Sequence, residues 1–303
     1  MVYWQVALPL IPPYIPGSSE ELTMNAPNAA QIADWNGAVG ERWAAEQQSL
    51  DALIQPFGDA ALAAAKAAPG EKVLDIGCGC GETSLTLARA VGPSGEVVGV
   101  DVSGPMLRVA RNRAAGLANI SFMEADASQA PLPGGFSLLF SRFGVMFFDK
   151  PVDAFARMGR ALTPGARLAF VCWQPAALNP WATIAAKAAL AASGLPAPQA
   201  DPRAPGPFAF ADPEYTTGIL EQAGFGSISV TPVEAPMRLG ASPAEAALSA
   251  LKVGPASRIA REAGPDAFPG LLQAVESALA THAYPSGEVS LPGRTWVVTG
   301  NWH

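Results

Sequence analysis

Apolar positions recur at three- and four-residue intervals from Gln31 to about Ala67, with Trp35, Val39 and Trp43 followed by Leu50, Leu53 and Ile54. That period predicts helix. Pro56 and Gly58 predict a break into two helices, and Pro69 and Gly70 end the alanine-rich stretch. From Lys72 the pattern changes to short apolar runs separated by helical segments. Strands are predicted at Lys72–Ile76, Glu96–Val100, Ile120–Glu124, Phe136–Ser141 and Arg167–Trp173, and helices at Thr83–Val91, Pro105–Ala115 and Val152–Leu162. Several of these strands are apolar throughout, as strands covered on both faces are, so the alternation implies βαβ crossovers and a parallel sheet.

Beyond Trp173 the regularity weakens. Pro196 to Pro213 is rich in Pro, Ala and Gly and predicts a long loop. Glu214–Ala223 predicts a helix, Ile228–Val233 a strand, Ala244–Thr281 mostly helix with interruptions at Gly-Pro pairs, and Thr295–Thr299 a last strand. The division expected from these changes is a helical cap over 24–70, a core over 71–173, a lid loop over 174–212 and a C-terminal part over 213–303 carrying a helical insertion at 241–285. Residues 1–23 are apolar but broken by Pro9, Pro12 and Pro13, lack a basic start, and are expected to be disordered or extraneous.

Composition narrows the function. With 303 residues, half of them apolar, the chain can bury a large core, and its net charge of −7 disfavours a nucleic-acid partner. Three cysteines without framework spacing suit a reducing compartment and hence the cytoplasm. Cys78 and Cys80 have no His or further Cys near them, so no metal site is expected. No apolar run reaches the roughly 20 residues of a membrane span.

The chemistry concentrates in Val73-Leu74-Asp75-Ile76-Gly77-Cys78-Gly79-Cys80-Gly81-Glu82-Thr83, where a strand must turn into a helix. Glycines at 77, 79 and 81 allow a tight turn and close backbone approach to a ligand. The helix start adds unpaired N–H groups and partial positive charge. A dinucleotide fingerprint would need glycine at 82, and Glu82 there would oppose a pyrophosphate, which disfavours an NAD-dependent oxidoreductase. The Gly-x-Gly-x-Gly spacing, with an acid two residues before it, instead resembles the first motif of class I S-adenosylmethionine-dependent methyltransferases. Trp35-Asn36, Gly40-x-Arg42-Trp43, Phe136 to Phe148 and Phe170-Val171-Cys172-Trp173 also look like a bacterial ubiquinone/menaquinone-biosynthesis-like subgroup (methyltransferase type 11/25).

This resemblance implies an α/β fold with a Rossmann-like seven-stranded sheet, mostly parallel with an antiparallel last strand, and helical N-terminal and C-terminal lid insertions. It implies S-adenosyl-L-methionine as cofactor, S-adenosyl-L-homocysteine as product, and a small-molecule acceptor. Asp101 ends the second strand, where a carboxylate accepts both ribose hydroxyls; a helix cap is the competing role. Asp126 takes the place of the acid that meets the adenine amino group, and Val102 and Met106 would sandwich the ring. Asp75, Gly77, Gly79, Gly81, Ala127, Ser141 and Trp43 complete the expected cofactor set.

Catalysis is less defined. Arg142, at the end of the fourth strand, is a candidate for holding an anionic acceptor or an acidic side chain from the lid, with a bracing salt bridge as the alternative. His282 is a candidate base, although a sulfonium methyl is already activated and alignment alone supplies roughly 7–11 kcal/mol. Two other outcomes stay open: a cofactor-binding protein without methyl transfer, and a quinone-type C-methyltransferase.

Overall fold

The computed structural model describes residues 28–197 and 201–303. The expectation for 1–23 lies outside them. Among the described residues three helices come first, α1 (Ala29–Asn36), α2 (Ala38–Ala45) and α3 (Gln47–Ala65). The core then alternates β1 (Lys72–Ile76), α4 (Glu82–Val91), β2 (Glu96–Asp101), α5 (Gly104–Arg113), β3 (Ile120–Glu124), β4 (Phe136–Arg142), α6 (Pro151–Gly159) and β5 (Leu162–Trp173). The remainder is α7 (Pro180–Ser193), α8 (Pro213–Ala223), β6 (Phe225–Gly240), α9 (Pro243–Lys252), α10 (Pro255–Ala263), α11 (Phe268–Ala280) and β7 (Val289–Trp302).

The strands form one sheet in the order β3-β2-β1-β4-β5-β7-β6. β7 runs antiparallel to both its neighbours, and the others share one direction. The expected seven-stranded sheet is therefore present. Strand order reverses between β1 and β4, the crevice where open α/β sheets bind ligands. The central strands earn that position by composition: Val73, Leu74, Leu138, Leu139 and Phe140 are fully buried.

Four local expectations are corrected. Pro56 and Gly58 do not break the chain: α3 runs unbroken through Pro56, and the interruptions fall at Gly37 and Glu46. Pro inside a helix costs about 3 kcal/mol. The stripe Leu50, Ile54, Phe57, Ala61 and Ala65 is buried on the core side of α3, and each large side chain in it contributes about 1.5–3 kcal/mol, so burial wins. The span expected as a lid loop, 174–212, contains the 14-residue helix α7. Its buried face is Ala182, Ala185 and Ala189, a helical period written in residues too small to stand out as apolar.

β5 begins at Leu162 rather than Arg167, with a register shift against β4, and α6 correspondingly ends at Gly159. β6 and β7 are 16 and 14 residues long, much longer than the segments expected. β6 is an edge strand, which is where Pro232 and Pro236 are tolerated. This long arm carries Met237 and Leu239 past the sheet, and α9–α11 are inserted between its two strands, packing with α7 around Leu251, Leu271, Val275 and Leu279.

Candidate active site

A cavity of about 250 Å³ opens at the carboxyl ends of the central strands, lined there by Ile76, Asp101, Ala125, Arg142 and Trp173. Its first wall is the turn from β1 into α4. Gly77, Gly79 and Gly81 all have positive φ, at 64°, 54° and 82°. A Cβ on Gly77 would lie 2.5 Å from the Gly144 Cα, so the two loops touch backbone to backbone. Asp101 braces the turn: its Oδ2 accepts from the Gly79 N–H at 2.8 Å, and its Oδ1 from the Ser103 N–H at 2.8 Å. Burial pushes its carboxyl above the usual range, opposed by those backbone donors.

Of the residues expected to meet a cofactor, Gly77, Gly79, Asp101, Val102, Met106, Asp126, Ala127 and Trp43 line the cavity. Asp75, Gly81 and Ser141 do not; they lie behind the wall. Asp75 is fully buried and accepts from Thr83 Oγ1 at 2.8 Å and Ser84 Oγ at 2.6 Å, which ties β1 to the first turn of α4. Its other oxygen has no partner, and burial raises its pKa to about 6. Gly81 is the left-handed residue that starts α4. The Ser141 hydroxyl donates to the Ile76 carbonyl at 2.7 Å and accepts from the Gly144 N–H at 3.1 Å, fixing the β4 exit.

Asp126 is held by a residue the sequence did not mark. Asn28 donates its side-chain amide to both Asp126 oxygens, at 3.1 and 3.0 Å, and to Ser128 Oγ at 2.8 Å. The Asn28 side-chain oxygen Oδ1 accepts from the Asp149 N–H at 2.7 Å. Helices α1 and α2 cover this end: Asn36 reaches the Val102 carbonyl at 2.7 Å, and Ser103 Oγ donates to the Trp35 carbonyl at 2.7 Å. Trp35 and Trp43 meet edge to face, 5.6 Å apart.

The other half of the cavity is apolar. Phe143 stacks on Trp173 with ring centres 4.5 Å apart and planes 15° from parallel, and Trp173 in turn meets Trp181 at 4.7 Å. Met237 and Leu239 from β6, Ala246 and Ala250 from α9, and Val253 just after it line this half. At the junction of the halves, Arg142 Nη2 donates to Asp51 Oδ1 at 2.6 Å. Asp51 also accepts from Arg113 Nη1 at 3.1 Å and from Gln47, while Arg113 pairs with Glu82. The bracing salt bridge weighed for Arg142 therefore exists, and Arg142 still lines the cavity. His282 does not: it is exposed on the turn after α11, so the candidate base is withdrawn. Cys78 and Cys80 line the glycine turn, but burial raises both thiols, Cys80 to about 12, which removes them as nucleophiles. Among the described residues no cluster suits a metal ion, and no helix is long and apolar enough to cross a membrane.

Residues 73–165 match the protein family described as a methyltransferase domain. Over 104 residues the chain is 41% identical to a ubiquinone/menaquinone biosynthesis C-methyltransferase of Ectopseudomonas mendocina, covering 33% of this chain and 41% of that protein. Over 121 residues it is 38% identical to an aklanonic acid methyltransferase of Streptomyces sp. strain C5, covering 39% and 55%. The matched segments thus span about half or less of these curated relatives. Two solved structures share the fold over nearly their whole length. A putative methyltransferase from Bacillus halodurans has a TM-score of 0.53 at 17% identity, covering 80% of this chain and 97% of that one. The YcgJ protein from Bacillus subtilis has 0.51 at 17%, covering 85% and 99%. The expected resemblance to class I methyltransferases is borne out over the central third of the chain, and the expected fold over most of it.

Proposed function

We propose that this chain, whose residues 73–165 form a methyltransferase domain, transfers the methyl group of S-adenosylmethionine to a small molecule. The observation that carries the reading is the Asp101–Gly79 bond at 2.8 Å, which locks a left-handed glycine turn and a carboxylate side by side on the cavity wall. A carboxylate offers about four acceptor sites. Asp101 uses two on backbone N–H groups, leaving the donor-matching capacity a ribose diol needs. Asp126 already binds an amide NH2, the same type of donor as the exocyclic amine of adenine. Val102 and Met106 supply apolar faces beside it.

When bound, S-adenosylmethionine supplies a methyl group on a positively charged sulfur, and transfer to a nucleophile leaves the neutral thioether S-adenosylhomocysteine. The protein's share is positioning and exclusion of water. Helices α1 and α2 close the adenosyl end, while α7, α9 and the β6 arm enclose the acceptor end. In this reading the cap, core and insertion act as one methyltransferase unit, with its free, buried cysteines suited to the cytoplasm. Whether methyl goes to oxygen, nitrogen or carbon is a property of the acceptor half. Calorimetric titration with S-adenosylhomocysteine tests the reading directly. Micromolar or tighter binding, lost in Asp101→Ala, is expected; a folded protein giving no heat would remove the assignment.

A further inference from the structure

Arg142 and Phe143 are consecutive, yet both line the cavity. In an extended strand successive side chains point to opposite faces. The exception arises because Phe143 is left-handed, with φ 60°, a conformation a bulky L-residue rarely adopts. Ser141 and Gly144 hold that bend from behind. Strain kept at one point of a ligand cavity marks a place where two side chains are presented together.

What they present is a cation set in an aromatic wall. Arg142 is the one cationic residue among the described residues that line the cavity. Its side chain is only 12% exposed, and a single nitrogen, Nη2, donates to protein, to Asp51. Nε and Nη1 donate to no described residue, and neither is closed off from open space. Asp51 is shared with Arg113 and Gln47 and takes only one of the Arg142 nitrogens; the buried Asp75 feels the same guanidinium from behind the wall. A guanidinium with free donors in an apolar chamber is suited to an anionic oxygen. Phe143 and Trp173 stack on each other, so the wall beside the guanidinium is aromatic and suits an apolar aromatic partner.

Resting on the methyl-transfer reading, we infer that the acceptor is a flat, apolar molecule with an acidic hydroxyl, whose ionised oxygen is held by Arg142. A protonated amine would face both this guanidinium and the sulfonium of the donor, so amines are disfavoured.

The probe is 2-naphthol, with 2-methoxynaphthalene as the partner that cannot ionise. Ionisation of protein-bound naphthol is followed by its own absorbance, with and without S-adenosylhomocysteine. In the wild-type protein it should occur about one pH unit below that of free naphthol. Arg142→Gln should abolish the shift and weaken naphthol about tenfold at high pH, leaving 2-methoxynaphthalene unchanged; Arg142→Lys should keep part of the shift. Asp51→Asn, which releases Arg142, should enlarge it, and this arm holds even if Arg142→Gln does not fold. Naphthol that fails to bind, that ionises as in water, or that shifts equally in Arg142→Gln would overturn the inference. Failure of S-adenosylhomocysteine to bind while the naphthol shift persists would instead remove the methyl-transfer reading alone.

Discussion

On the β1–β3 side of the cavity the wall is backbone and carboxylate, supplied by strand ends and the first turn of α4. On the α7, α9 and β6 side it is aromatic and aliphatic, supplied by helices and by an arm that leaves the sheet. The first half is fixed by the sheet's own hydrogen bonds, and each polar group in it braces another, as Asp101 braces Gly79 and Asn28 braces Asp126. The second half depends on packing between inserted elements, where one side chain can change without disturbing the ladder. The comparison teaches that, under the proposed function, a donor site would rest on rigid strand ends, while acceptor selectivity would rest on what is inserted between β6 and β7.

The sharpest way to break this contrast is Gly77→Val. The left-handed φ and the 2.5 Å approach to Gly144 leave no room for a branched side chain. Denaturant unfolding should show a loss of about 3 kcal/mol or more. Asp101→Ala should weaken S-adenosylhomocysteine by roughly 2–3 kcal/mol, on the order of a hundredfold, through the lost charged acceptor and the released turn. Calorimetry reads it, and an unchanged affinity would dissociate the turn from the ligand.

Asp75 tests the same half through pH. Its carboxyl is raised to about 6 in the folded chain, above the unfolded value, so the native state binds the extra proton. Stability from this group is present at low pH and is lost as pH rises between about 4 and 6. Relative to Asp75→Asn, the wild-type protein should lose about 3 kcal/mol across that window in chemical denaturation. An opposite slope would mean that the unpartnered oxygen is solvated.

On the acceptor side, Trp173→Ala should raise the acceptor KM by about tenfold through lost aromatic area, while S-adenosylhomocysteine affinity stays within about twofold. Equal damage to both would show that the two halves are one cooperative unit. The smallest effect is expected for His282→Ala: exposed and outside the cavity, it should leave methyl transfer within about twofold, and a thousandfold loss would restore the candidate base.

Much of the first half was legible in the chain itself. Three glycines at alternate positions, an acid ending β2 and another following β3 are local signals, because each reports a strand end that the alternating pattern had already placed. The sheet was legible for the same reason: a run such as Leu138-Leu139-Phe140 has no alternative to burial on both faces. Asp75 shows where the reading stopped. An acid two residues before the turn was expected to face the ligand, and the hydroxyls of Thr83 and Ser84 hold it inside instead.

The other half was decided by tertiary structure. Nothing local places Asp51 of α3 against Arg142 of β4, 91 residues away, or Asn28 beside Asp126, 98 residues away. Pro56 argues locally for a break and is overruled by the buried stripe of α3, and the alanines of α7 acquire a helical face only against Leu271 and Val275. Periodicity and turn chemistry act between near neighbours, so the sequence alone determined the sheet and its glycine turn. Pairing across loops and burial of small residues gain their free energy only when distant elements meet, so the apolar chamber and the place of Arg142 in its wall were set by the folded molecule.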